Sequence, residues 1–163
     1  MKILTVAIPC YNSEAYMEKC IRSILPVGEE VEILIVDDGS TKDRTPQIAD
    51  SYAAKYPTII RAVHQENGGH GEAVNAGLRN ASGLYYKVVD SDDWVNTKSL
   101  RRIVDKMKEL EETGGVDMLL ANFVYDKAGA HHKKLMPFKH VFPVNEVFGW
   151  EKMRHMQETQ YIL

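Results

Sequence analysis

The chain has 163 residues, of which 44% are hydrophobic and 26% are charged, a composition typical of one soluble globular domain. Lysine and arginine number 20 against 23 aspartates and glutamates, and the net charge of −3 argues against a general nucleic-acid binder. The sequence has two cysteines, no apolar run near the ~20 residues of a membrane span and no signal-peptide layout. These features favour a cytoplasmic protein. Any peripheral association with a membrane would use segments outside these 163 residues.

Apolar strands alternate with amphipathic helices along the first 124 residues. The predicted order is strand 3–8, helix 14–25, strand 31–36, helix 45–56, strand 58–63, a small-residue helix around 73–81, strand 84–89, helix 98–112 and strand 116–124. Thr45 and Pro46 are interpreted as an N-cap and a first-turn proline. The alternation predicts an α/β fold with a mostly parallel, Rossmann-like sheet and helices on both faces. Beyond it, residues 125–136 are predicted to form a surface hairpin or loop, and 146–158 one more helix.

Unusual polar residues follow four of the predicted strands. They are Tyr11 and Asn12, residues 37–40, residues 67–69 and residues 90–93. Because ligands bind at the carboxyl ends of strands in open α/β sheets, these four groups predict a cleft along one edge.

Five aspartates could line that cleft. Two carboxylates ~4 Å apart repel by about 4 kcal/mol at an effective dielectric near 20, so a cation or ligand donors must offset the repulsion. Oxygen ligands favour Mg²⁺ or Mn²⁺ over Zn²⁺, and diphosphate oxygens can fill the remaining positions. The glycine turn at 67–71 would let backbone N–H groups approach an anion, and His70 within it is a candidate contact for either the sugar or a phosphate. The sequence therefore predicts a site for a nucleoside diphosphate and a metal.

Four motifs taken together resemble the nucleotide-sugar half of a family-two inverting glycosyltransferase with the GT-A fold. They are Ile-Pro-Cys-Tyr-Asn-Ser-Glu at 8–14, Val-Asp-Asp-Gly-Ser-Thr at 36–41, Asn-Gly-Gly at 67–69 with Asn-Ala-Gly at 75–77, and Asp-Ser-Asp-Asp at 90–93. The likeness implies a donor-binding core over residues 1–125 and the start of an acceptor-side region over 126–163. It also implies a role in the biosynthesis of cell-wall or surface polysaccharides.

The resemblance assigns one group of residues to the nucleotide. Pro9 and Tyr11 would form the wall against the base, with Tyr11 stacking on it. Asp38 would accept the base imide hydrogen, which favours uracil, and Asp37 is its neighbour. Asn67 and Gly68 belong to the third motif and are placed at the nucleotide as well.

The resemblance assigns the last motif to ribose and metal. Asp92 would contact the ribose, and Asp93 would bind the Mn²⁺ or Mg²⁺ that bridges the phosphates. Asp90 would face the ribose or the sugar. An acceptor hydroxyl, on a saccharide or a lipid-linked acceptor, would then attack the anomeric carbon while the nucleoside diphosphate leaves.

The general base that this reaction needs is expected beyond Leu163, because the resembled family carries it in the acceptor half. Glu146, Glu151 and Glu158 are candidates by residue type only. The apolar final residues predict that the chain is a fragment lacking most of that half.

Three other functions compete. The first is a nicotinamide-dependent oxidoreductase, because Gly69 to Val74 are similar to a dinucleotide-binding fingerprint, but that function leaves the paired aspartates at 37–38 and 92–93 unexplained. A nucleotidyltransferase uses similar metal chemistry, although residues 9–12 lack the basic glycine-rich turn expected for a triphosphate. A non-catalytic nucleotide-sugar-binding module also fits the donor motifs.

Overall fold

The computed structural model describes residues 1–126, 133–139 and 142–152. The chain divides into two compact units, Met1–Thr113 and Gly114–Leu163, and each is treated separately below.

The first unit alternates strands and helices, as predicted. In chain order it contains β1 (Leu4–Cys10), α1 (Met17–Ile24) followed by a 3₁₀ turn (Leu25–Val27), β2 (Val31–Asp38), α2 (Thr45–Lys55), β3 (Ile60–Gln65), α3 (His70–Asn80), β4 (Tyr85–Val88) and α4 (Thr97–Glu111).

The four strands form one parallel sheet in the order β3-β2-β1-β4. Every residue of β1 and β2 is buried, which explains why these two strands are apolar along most of their length. The chain runs from β1 outward to β3 and then returns to pair β4 with the other side of β1. Right-handed crossovers therefore place α1 and α2 on one face of the sheet and α3 on the other. The predicted α/β fold with a parallel sheet flanked by helices is confirmed.

Small residues allow α3 to approach the sheet closely. Its Ala73 and Ala76 are buried in a cluster with Ala7, Leu34 and Val36. A Cβ added at Gly77 would lie 2.7 Å from both the Ala7 Cβ and the Tyr86 hydroxyl. The packing therefore requires glycine at this position, and it fixes the start of α3 relative to the strand ends.

Two sequence predictions about these elements are wrong in detail. The fifth strand was expected at 116–124 in the parallel sheet, but residues 115–122 contain no strand, and β5 (Phe123–Tyr125) pairs antiparallel with β6 (Lys134–Met136) in a separate two-stranded sheet. Thr45 is the first residue of α2 rather than its N-cap. By contrast, Asn96 caps α4 by accepting a hydrogen bond from the Ser99 N–H.

The second unit contains the predicted hairpin and a chain of aromatic contacts. Phe123 contacts Tyr125 and Phe138, and Phe142 contacts Phe138 and Phe148. Of the helix predicted at 146–158, Trp150–Lys152 form a 3₁₀ turn, and residues 153–158 lie outside the described residues.

Candidate functional site: a cleft at the carboxyl ends of β1 and β4

A cleft of about 350 Å³ lies at the carboxyl ends of the first unit's strands. It occupies the position where the sheet order reverses, between β1 and β4, which is the usual ligand position in open α/β sheets. The residues that line it are Pro9, Tyr11, Asn12, Ser13, Tyr16, His70, Asp90, Ser91 and Asp92.

Four of the predicted site residues line this cleft: Pro9, Tyr11, Asp90 and Asp92. The other five do not: Asp37, Asp38, Asn67, Gly68 and Asp93. Sequence reasoning assigned no ligand contact to Ser13, Tyr16 or Ser91. Ser13 and Ser91 stand inside the recognised motifs, but small hydroxyl residues give no signal of their own.

Asn12 ties the loop after β1 to the loop after β2. Its backbone is in the left-handed region at φ +50°, a conformation that asparagine tolerates better than most residues. Its N–H donates to the Ser40 hydroxyl, and its side-chain oxygen accepts hydrogen bonds from the N–H groups of Thr41 and Lys42. The two loops are therefore held in one arrangement.

Ser13 connects the two walls of the cleft. Its side chain is buried, with the residue 4% exposed. The Tyr11 N–H donates to Ser13 Oγ over 3.1 Å, and Ser13 Oγ lies 2.9 Å from Ser91 Oγ in the loop after β4. The Ser13 N–H donates to Thr45 Oγ1 over 2.7 Å, which gives that buried hydroxyl a role other than capping.

Asp38 is buried, and the protein itself satisfies its carboxylate. Oδ1 accepts hydrogen bonds from Gln65 Nε2 and the Gly68 N–H, and Oδ2 accepts one from the Gly69 N–H. Burial favours the neutral acid, but these donors together hold the pKa of Asp38 below its ordinary value. Asn67 adds a side-chain hydrogen bond to the Asp38 carbonyl. The glycine turn thus binds this carboxylate, whereas the sequence predicted an anion from outside.

Asp37 is also buried and has partners within the protein. It accepts hydrogen bonds from the Ser40 N–H and from His64, whose ring also bonds Asp50. The bond to Asp37 raises the pKa of His64, burial opposes the shift and Asp50 adds to it. Both buried carboxylates of the Asp37–Asp38 pair therefore have hydrogen-bond donors within the protein.

The aspartates at 90–93 differ from Asp37 and Asp38, because their carboxylates lie close to one another without comparable hydrogen-bond donors among the described residues. Burial, then Asp92 and then Asp90 raise the pKa of Asp93, and Lys87 offsets this only in part. Within residues 1–126, 133–139 and 142–152, no ion pair involves Asp92 or Asp93, and no three acidic, histidine or cysteine side chains form a ready metal centre. The cluster therefore repels itself, and a cation would relieve that repulsion.

The segment after these aspartates is anchored to α1. Trp94 is 40% exposed, and Lys19 Nζ lies 2.9 Å from its ring centroid. The Val95 N–H and the Thr97 hydroxyl donate to the side chain and the carbonyl of Ser23. These contacts hold the segment that follows the acidic loop against α1.

Comparison with known proteins identifies the class to which this fold and cleft belong. The family model described as Glycosyl transferase family 2 matches residues 5–159, so the chain belongs to that family. Its relatives include the "Uncharacterized glycosyltransferase EpsJ" of Bacillus subtilis (strain 168), 32% identical over 98% of this chain and 45% of EpsJ. They also include the minor teichoic acid biosynthesis protein GgaA of the same organism, 33% identical over 79% of this chain and 30% of GgaA. The chain therefore spans less than half the length of these curated relatives.

Two solved structures share the fold. S. aureus TarS 1-349 in complex with UDP is 33% identical, covers 68% of this chain and 33% of its own, and superposes with a TM-score of 0.59. The mannosyltransferase PcManGT from Pyrobaculum calidifontis, solved with GDP-Man and Mn²⁺, is 30% identical over 62% of this chain and 31% of its own, with a TM-score of 0.53. In the part of the chain that the structure describes, no helix is long and apolar enough to cross a bilayer.

Proposed function

We propose that this chain forms the donor side of an inverting glycosyltransferase. It binds a UDP-sugar with Mn²⁺ or Mg²⁺, and the sugar passes to a hydroxyl of a saccharide or lipid-linked acceptor. One observation carries the proposal: in the cleft at the reversal of the sheet, a wall formed by Pro9 and the Tyr11 ring faces Asp90 and Asp92, and the neighbouring Asp93 has a raised pKa caused by burial and by these two carboxylates. The proposed donor-binding region is residues 1–125, of which Met1–Thr113 form the first compact unit and the remainder belongs to the second.

The nucleotide base lies against Tyr11. The Tyr11 side chain is half-exposed at the cleft and offers a ring face for stacking. Asp38 is assigned to the imide hydrogen of uracil, and its Oδ2, which accepts one hydrogen bond from the described residues, retains a lone pair for that contact. Asn67 and Gly68 contribute by holding Asp38, and Asp37 by holding Ser40.

The acidic loop fits a divalent cation. Mg²⁺-type sites use one or two carboxylates plus substrate phosphates, so the lack of a group of three ligands among the described residues agrees with such a site. Asp93 would bind the ion, Asp92 the ribose, and Asp90 the ribose or sugar. A divalent ion held there would neutralise the charge that develops on the leaving diphosphate.

The acceptor side supplies the general base, which we place beyond Leu163. Glu146 forms a 3.5 Å ion pair with Lys152, Glu151 is exposed, and Glu158 lies outside the described residues.

Calorimetric titration tests the donor site. We expect UDP to bind at least about tenfold more tightly with Mn²⁺ than with EDTA, and more tightly than CDP or ADP. Asp93→Asn should abolish the metal effect, while the matched Asp105→Asn, an exposed aspartate of α4, should leave it intact. Metal-independent binding of NADH, with none of UDP, would contradict the proposal. With the acceptor side that carries the general base present, release of UDP from a UDP-sugar only on addition of an acceptor separates an enzyme from a non-catalytic module.

A further inference from the structure

His70 lies in the cleft, opposite the acidic loop. It is the first residue of α3, and its side chain is 64% exposed. Its Nε2 is 3.7 Å from Asp90 Oδ1, which is beyond hydrogen-bonding distance. The imidazole therefore lines the cleft and makes no hydrogen bond to any of the described residues.

The charges around His70 define what it can bind. Among the nine described residues that line the cleft, Asp90 and Asp92 are carboxylates and His70 is the only basic side chain. A diphosphate approaching this wall meets repulsion from the two aspartates. His70 is the one lining side chain able to place a positive charge, or a ring N–H, against its oxygens.

The glycine turn leaves this role to the side chain. The Gly68 and Gly69 N–H groups already donate to Asp38, so they are not free to bind a phosphate. A Cβ added at Gly69 or at Gly71 would meet no atom within 4 Å, so open space lies on both chain neighbours of His70. A ligand has room to reach the imidazole.

We propose that His70 is a donor-binding residue whose imidazole donates a hydrogen bond to an oxygen of the diphosphate. The inference rests on the proposed function, since it adds a residue to the same site. A hydrogen bond to a charged group contributes enough that its loss weakens binding by about tenfold to a hundredfold.

The test compares UDP with uridine on His70→Ala, His70→Gln and a control, Leu78→Ala, an exposed residue of the same helix. We expect His70→Ala to weaken UDP binding by about tenfold or more while uridine binding, followed by NMR titration, is unchanged. His70→Gln retains an amide donor and should recover part of the loss. Circular dichroism of each variant checks that α3 is folded.

Three results would overturn the inference. They are unchanged UDP affinity in both variants, an equal loss for uridine and UDP, and a loss that disappears in EDTA. The last would mean that His70 acts only through the metal site and not on the diphosphate itself. Failure of the unaltered chain to bind UDP would instead refute the proposed function, so the two failures are distinguishable.

Discussion

The Ser13–Ser91 contact is the most direct structural link between the base wall and the acidic loop. Ser13→Ala removes the acceptor for the Tyr11 N–H and the 2.9 Å contact with Ser91 Oγ. Each neutral hydrogen bond contributes about 1 kcal/mol, and a half-buried donor left unpaired costs about 1–3 kcal/mol. We expect Ser13→Ala to lower the free energy of unfolding by about 1–3 kcal/mol, and Ser91→Ala to lower it by about 0.5–1.5 kcal/mol.

A double-mutant cycle measures the link itself. The shared bond is counted in both single variants, so the double variant should lose about 1 kcal/mol less than their sum. Urea unfolding gives these values, with Ser51→Ala, an exposed serine of α2, as the control. Both single variants should also weaken metal-dependent UDP binding, because Tyr11 and Asp92 would no longer be held together. Additive losses within about 0.3 kcal/mol would refute the reasoning.

Three further predictions concern α3 and the strand ends. Gly77→Ala should destabilise the fold by about 1 kcal/mol, because overpacking against Ala7 costs more than the gain in helix propensity. The control Gly71→Ala, whose added Cβ would meet open space, should not destabilise the fold. Equal melting temperatures for the two variants would contradict this prediction. Asp38→Asn should cost about 1–3 kcal/mol in urea unfolding and reduce the preference for UDP over CDP, since its amide N–H₂ opposes an N–H donor. The pKa of His64 is raised in the folded protein, so protonated His64 stabilises the fold. This contribution is complete below the unfolded-state pKa near 6.5 and is lost as the pH rises through the folded-state pKa. The free energy of unfolding should therefore fall as the pH rises above about 6.5 and through the raised folded pKa of His64, and a His64→Gln variant with the same slope would count against the assignment.

The fold was largely predictable because burial on both faces makes β1 and β2 apolar, and helical periodicity marks α1 and α4. Met17, Cys20, Ile21 and Ile24 follow the spacing of one face of a helix, and all four are buried in α1. The predicted fifth strand at 116–124 was wrong, because apolar content alone does not determine which sheet, if any, a segment joins.

The sequence predicted only those site residues whose position follows from lying directly after a strand. Asp90 and Asp92 lie where the topology places them, in the cleft. That Asp38 binds the glycine turn depends on how residues 66–69 fold back onto β2, which no spacing encodes. The Ser13–Ser91 contact joins residues 78 apart in sequence, and two hydroxyl groups carry no pattern that would reveal it.

A crystal of the chain soaked with UDP and Mn²⁺ tests the central claim most directly. The account predicts anomalous density for one Mn²⁺ within coordination distance of the Asp93 carboxylate and of the diphosphate, with the base stacked on Tyr11. A nucleotide bound away from this cleft, or an ion held by other residues with Asp93 uninvolved, would contradict it.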